Sequence, residues 1–150
     1  MTTAKLVGLT LLGSASLIAT AALAEPVADG GRKFTTTLSG ANEVPPADPD
    51  GSGTASVTVN VGQQRVCWDI DVNNIAAPTR GHIHKAPAGS NGAIVVGFFE
   101  AANVDLNGCT ATGSLGRELL TDIIQHPSDY YVNVHNAEFP GGAIRGQLGK

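Results

Sequence analysis

The amino-acid sequence predicts an all-β, antiparallel fold of the sandwich or barrel type with one short helix. Three features carry that expectation. Apolar and polar residues alternate in several short segments, Gly, Pro, Asn and Asp punctuate the chain between them, and only one stretch has helical spacing.

The first 24 residues stand apart from this pattern. Lys5 alone supplies positive charge ahead of an apolar stretch from Leu6 through Leu23, and Ala22-Leu23-Ala24 has the small-x-small form that signal peptidase accepts. Residues 1–24 are therefore expected to be a signal peptide, cleaved after Ala24. The alternative is an uncleaved anchor, but Gly8, Gly13, Ser14, Ser16 and Thr20 leave the segment only marginally apolar for a span of about 20 residues. No cysteine lies at the cleavage point to take a lipid, and no second long apolar run follows, so no membrane span is expected after cleavage. Residues 25–33 read as a flexible lead-in and residues 34–149 as one domain. The expected location is secreted or periplasmic.

Phe34, Thr36 and Leu38 alternate as the first strand, and a Pro/Asp/Gly-rich loop runs from Glu43 to Gly53. Ala55, Val57, Val59 and Val61 then alternate with polar residues, and Gly62-Gln63-Gln64 turns the chain. Val66, Trp68, Ile70 and Val72 form the next inward set, leaving Cys67, Asp69 and Asp71 on the other face. Strand character resumes at Gly81-His82-Ile83-His84 and again from Ala93 to Phe99, a nearly continuous apolar run expected to be buried on both sides. Glu118 to Gln125 is the helical stretch, with Leu119, Leu120, Ile123 and Ile124 on one face before His126-Pro127 stops it. Tyr130 to His135 and Ala143 to Leu148 close the chain as two strands. One core is expected between two sheets, made of Val57, Val59, Trp68, Ile70, Ile83, Val132, Val134 and Ile144.

Composition narrows the function classes. Without the leader, eight basic residues face 13 acidic ones and no Lys/Arg cluster occurs, which argues against nucleic acid as a partner. Cys67 and Cys109 are the only cysteines, and in an exported chain a disulfide between them is the expectation, with two free buried thiols as the alternative. There is no G-x-S-x-G elbow, P-loop or dinucleotide fingerprint. Asp48-Pro49-Asp50-Gly51-Ser52-Gly53 lacks the later Glu of an EF-hand and reads as a turn, and Asp69 and Asp71 read as a solvated strand face.

Four motifs in order carry a family resemblance: Ser39-Gly40-Ala41-Asn42-Glu43-Val44-Pro45-Pro46; Gly81-His82-Ile83-His84 with Gly89-Ser90-Asn91-Gly92; Tyr131-Val132-Asn133-Val134-His135; and Pro140-Gly141-Gly142-Ala143-Ile144-Arg145-Gly146-Gln147-Leu148. Together they resemble the CHRD (chordin-type) domain over Phe34 to Leu148. The resemblance implies an immunoglobulin-like or superoxide-dismutase-like β-sandwich and hands over no activity. Family members usually have Ala before the first of these histidines, where this chain has Gly81, a small-for-small change.

Chemistry, where there is any, is expected at His82, His84 and His135. Strand alternation puts His82 and His84 on one face, and Asn133 and His135 on one face, each opposite inward aliphatic residues. All three imidazoles are thus expected on the outer side of the sheet, where neighbouring strands would bring them together as ligands for copper or zinc. His126 is a poor fourth ligand. The competing reading makes the three histidines polar residues hydrogen-bonded to loop backbone. Arg145, paired opposite Asn133, is expected on the same surface, either as a two-pronged receptor for a small anion or as an internal clamp on Glu43. The reading adopted is a non-enzymatic binding or structural module for an extracytoplasmic protein or small anion, with the histidine metal site as the alternative.

Overall fold

The computed structural model describes Met1 and residues 30–149; the expected leader and most of the lead-in lie outside the described residues. Eight strands follow in chain order: β1 (Arg32–Ser39), β2 (Ser52–Asn60), β3 (Arg65–Asn73), β4 (Pro78–Lys85), β5 (Ala93–Phe99), β6 (Asn107–Cys109), β7 (Tyr130–Asn136) and β8 (Ile144–Gln147). One helix, α1 (Arg117–Gln125), stands between β6 and β7. All strand pairs are antiparallel, in the order β5-β4-β7-β8-β1-β2-β3-β6. The fold is therefore all-β with one short helix, as expected, but the strands bond into one sheet rather than two.

That sheet curls until it nearly closes. Trp68 of β3 and Phe98 of β5 belong to strands at opposite ends of the order, yet their rings stack with centroids 4.8 Å apart. Curling gives the sheet an inside and an outside, and the period-two residues decide which is which. Val57, Val59, Trp68, Ile70, Ile83, Val132, Val134 and Ile144 are all buried in one core, with Phe34, Leu38 and Phe99. Leu120 and Ile123 of α1 complete it.

Two local features were absent from the sequence reading. Asn107-Gly108-Cys109 is the edge strand β6, with Cys109 directly opposite Cys67 of β3. The two cysteines form a disulfide. Strand β5 is not buried on both sides, for Ile94 is 54% exposed. Its pairing with β4 shifts register twice, between Gly81 and His82 and between Ile83 and His84. Such bulges break the alternation that parity reasoning assumes, which is why Phe98 and Phe99 are both buried.

Candidate functional site

The outer side of β4, β7 and β8 carries the site. His84, Tyr131 and Gln147 lie across from one another in one row, and His82, Asn133 and Arg145 in the next. Each alternates with a core residue, Ile83, Val132, Val134 or Ile144. The expected parity and the Asn133–Arg145 pairing are thus present.

The expected exposure is not. His82 is 2% exposed, His135 5%, His84 8%, Asn133 2% and Arg145 1%. Strand alternation assigns a face and says nothing of what lies over it. Here three loops do, and they are tied to the sheet and to one another. Asn42 Nδ2 donates to Arg145 O (3.2 Å), Asn91 Nδ2 donates to Val44 O (2.6 Å), and Gln147 Nε2 donates to Ala86 O (2.8 Å).

Arg145 is correspondingly an internal residue and not an open anion receptor. Its Nη1 donates to Asn91 Oδ1 (3.3 Å) and its Nη2 to Pro87 O (3.2 Å), while its guanidinium lies 3.3 Å from the Tyr131 ring centroid. The same tyrosine stacks on His84 with centroids 4.8 Å apart. Glu43, the other suggested partner of Arg145, is buried nearby but makes no ion pair within 4 Å among the described residues. Burial pushes its carboxyl up to about 7, against the opposing pull of Arg145 and Asn133.

The three imidazoles do come together. Ring centroids are 5.0 Å apart for His82 and His135, 5.6 Å for His82 and His84, and 6.3 Å for His84 and His135. One nitrogen from each lies within 4.8 Å of the others.

What those nitrogens carry follows from the groups behind the rings. His135 Nδ1 faces Pro140 O at 3.0 Å, and His84 Nδ1 faces Gly92 O at 2.9 Å. A carbonyl oxygen can only accept, so both nitrogens are N–H donors. His82 Nε2 faces the Glu100 carboxylate at 3.2 Å and donates in the same way. With these tautomers assigned, the inner nitrogens are His82 Nδ1, His84 Nε2 and His135 Nε2, and all three hold lone pairs. His82 Nδ1 and His135 Nε2 stand 3.1 Å apart, and His84 Nε2 has no hydrogen-bond partner.

Two bare lone pairs at that distance repel. Moving the His82 proton from Nε2 to Nδ1 would let it donate to His135 at the cost of the Glu100 bond and would still leave His84 Nε2 unpaired, whereas one cation would satisfy all three. Protonation is also opposed at two of the rings: burial, then the neighbouring His82, lowers His135 to about 4, and burial lowers His84. Tetrahedral coordination with bonds near 2.0–2.1 Å puts ligand nitrogens about 3.3 Å apart. The His82–His135 pair is already there.

Glu100, Gly92 O and Pro140 O are what the sequence reading missed, because loop returns bring them behind the rings. His126 lies elsewhere and is exposed, with Nδ1 2.8 Å from Asp122 Oδ1; Asp122 Oδ2 also bonds to Lys85 and to the buried Tyr130. No helix among the described residues is long and apolar enough to cross a membrane.

A family model described as the CHRD domain matches residues 34–148. No curated protein and no solved structure matches the chain.

Proposed function

Because the chain belongs to the CHRD domain family, we propose that it is a non-enzymatic binding module exported to an oxidising compartment, and that its binding element is a zinc or copper ion held by His82, His84 and His135. One observation carries the metal reading. Every one of the three rings has an acceptor facing its outer nitrogen, and the three remaining nitrogens lie within 4.8 Å of one another.

Ligand histidines in metal sites show this arrangement: a carboxylate or carbonyl behind the ring fixes the tautomer and raises the basicity of the nitrogen in front. Borderline metals of the zinc and copper kind suit an all-imidazole set, whereas magnesium and calcium favour oxygen. A tetrahedral ion would have one position left over, which a water or a group from a partner can take. The disulfide supports export to a secreted or periplasmic location, where reduced thiols are not maintained.

Protein purified from an oxidising compartment without a histidine tag, stripped and then titrated, should take up about one equivalent of zinc or copper. Saturation at 100 times Kd should stabilise the fold by about 2.7 kcal/mol through mass action. His82→Ala, His84→Ala and His135→Ala should each abolish both effects. Absence of uptake by folded wild-type protein would leave the histidines as clamps for the overlying loops and remove the metal from the module.

A further inference from the structure

Asn133 stands in the middle of the covered face, directly opposite His82 in the pairing of β4 with β7. His84 and His135 belong to the rows on either side of that pair, so their rings, with centroids 6.3 Å apart, approach each other over it. Asn133 is 2% exposed, and its Oδ1 is a buried acceptor with no hydrogen-bond partner.

The two ends of the amide face different neighbours. A Cβ built on Gly142 would lie 2.4 Å from Glu43 Oε1 and 2.8 Å from Asn133 Nδ2, so the carboxyl and the amide nitrogen share the space beside that glycine. Burial raises the Glu43 carboxyl, and Arg145 and then Asn133, as a donor, pull it back; burial lowers His84, and Asn133, as an acceptor, is among the groups that oppose this. An amide donates only through its nitrogen and accepts only through its oxygen, which assigns Nδ2 to the Glu43 side and Oδ1 to the His84 side. On that side His84 offers Nε2, also without a donor, because its Nδ1 is turned to Gly92 O. Two acceptors are thus brought together with no proton between them, as they are at His82 Nδ1 and His135 Nε2. A side chain kept only to steady Glu43 would have no need of an oxygen there, and burying one unanswered costs stability.

We infer that Asn133 Oδ1 is the fourth ligand of the ion, completing a closed set of three imidazole nitrogens and one amide oxygen. This rests on the metal reading of His82, His84 and His135. The same device serves each ligand, since an outer group fixes which atom faces inward: Glu100 for His82, Gly92 O for His84, Pro140 O for His135 and Glu43 for Asn133. Closed four-ligand sets hold an ion as part of the structure, whereas catalytic sites keep a position open. The position that three imidazoles leave over is then filled from within, and water or a partner's group reaches the ion only by displacing the amide.

Cobalt(II), which accepts zinc's tetrahedral sites and absorbs visible light according to its ligands, reports on that position. Wild-type protein loaded with cobalt(II) at neutral pH should keep its visible spectrum in millimolar azide. Asn133→Ala should still take up cobalt(II), bind it at least about tenfold more weakly, and change spectrum when azide enters the position that the amide held. Asn133→Asp, which keeps an oxygen at the same reach, should restore both the affinity and the indifference to azide, and it supplies the reading if the alanine variant folds poorly. A wild-type spectrum altered by millimolar azide, or unchanged cobalt(II) affinity in Asn133→Ala, would overturn the assignment of Asn133 and leave the three-histidine site standing. Failure of folded wild-type protein to take up cobalt(II) or zinc would overturn both readings, and that failure shows before any azide or variant is used.

Discussion

Replacing Cys67 and Cys109 together by serine should lower the melting temperature by about 15 °C. The disulfide joins residues 42 apart in sequence. In the chain-entropy model, closing a loop of that length removes about 13 cal/mol/K from the unfolded ensemble, or about 4 kcal/mol at 25 °C. A domain of roughly 120 residues has an unfolding entropy of about 250 cal/mol/K near its midpoint, and dividing one figure by the other gives the expected shift. Native contacts should survive the substitution. β6 has three residues, yet its surroundings are also held by Trp68 Nε1 donating to Asp105 O (2.8 Å), Ile70 N to Leu106 O (2.8 Å) and Thr110 N to Val66 O (2.9 Å). The loss therefore belongs to the unfolded state, and the variant should melt cooperatively with unchanged far-ultraviolet dichroism. Calorimetry of the variant, beside wild type with and without reductant, measures it. A shift below about 3 °C would refute the reasoning, because it would mean that the 67–109 segment is already confined in the unfolded chain.

Two further outcomes are expected. Glu43 has its folded pKa raised from 4.5 to about 7, so the native state keeps a proton that the unfolded chain releases. Stability from this group is complete below about pH 4.5 and is lost as pH rises through about 7; Glu43→Gln should flatten that part of the urea-midpoint profile and gain on the order of 2–3 kcal/mol over wild type at pH 8. Gly81→Ala should destabilise by about 1–2 kcal/mol in the same assay, since its Cβ would lie 2.6 Å from the Phe99 ring and the core beneath is close-packed. No loss on Gly81→Ala would mean that Phe99 rotates away freely.

The Gly81 case shows where sequence reasoning reaches its limit. Between two small residues the sequence offers no preference, and the difference arises only because the β4–β5 bulges bring Phe99 under Gly81. Where alternation is unbroken, reading succeeds. Val57, Val59, Trp68 and Ile70 are inward because β2 and β3 pair in continuous register from Ser52 to Asn60. β6 was invisible for a different reason: three residues are too few to show a period, and their strand character comes from β3 and the disulfide. Within the site, the shared face of His82, His84, Asn133, His135 and Arg145 follows from period two alone. Their burial does not, since it depends on loops whose paths are set by side-chain to backbone bonds such as Asn91 to Val44 and Asn42 to Arg145.

That burial bears on why such residues occupy this face at all. A sheet covered on both sides is most simply stabilised by apolar residues on both, and a buried polar atom left without a partner costs about 1–3 kcal/mol. Glu43 Oε1, His84 Nε2 and Asn133 Oδ1 are all buried without one. A face that served only to hold three loops down has no use for these unpaired atoms, because the loop ties run through Asn42, Asn91, Arg145, Gln147 and the Nδ1 atoms of His84 and His135, and not through Glu43 Oε1, His84 Nε2 or Asn133 Oδ1. His84 makes the point most sharply. Its Nδ1 is bonded to Gly92 and its ring is stacked on Tyr131, so its orientation is settled, and what is settled is that Nε2 points where nothing in the protein donates to it. An imidazole fixed in that way is poorly suited to packing and well suited to a ligand that brings its own positive charge.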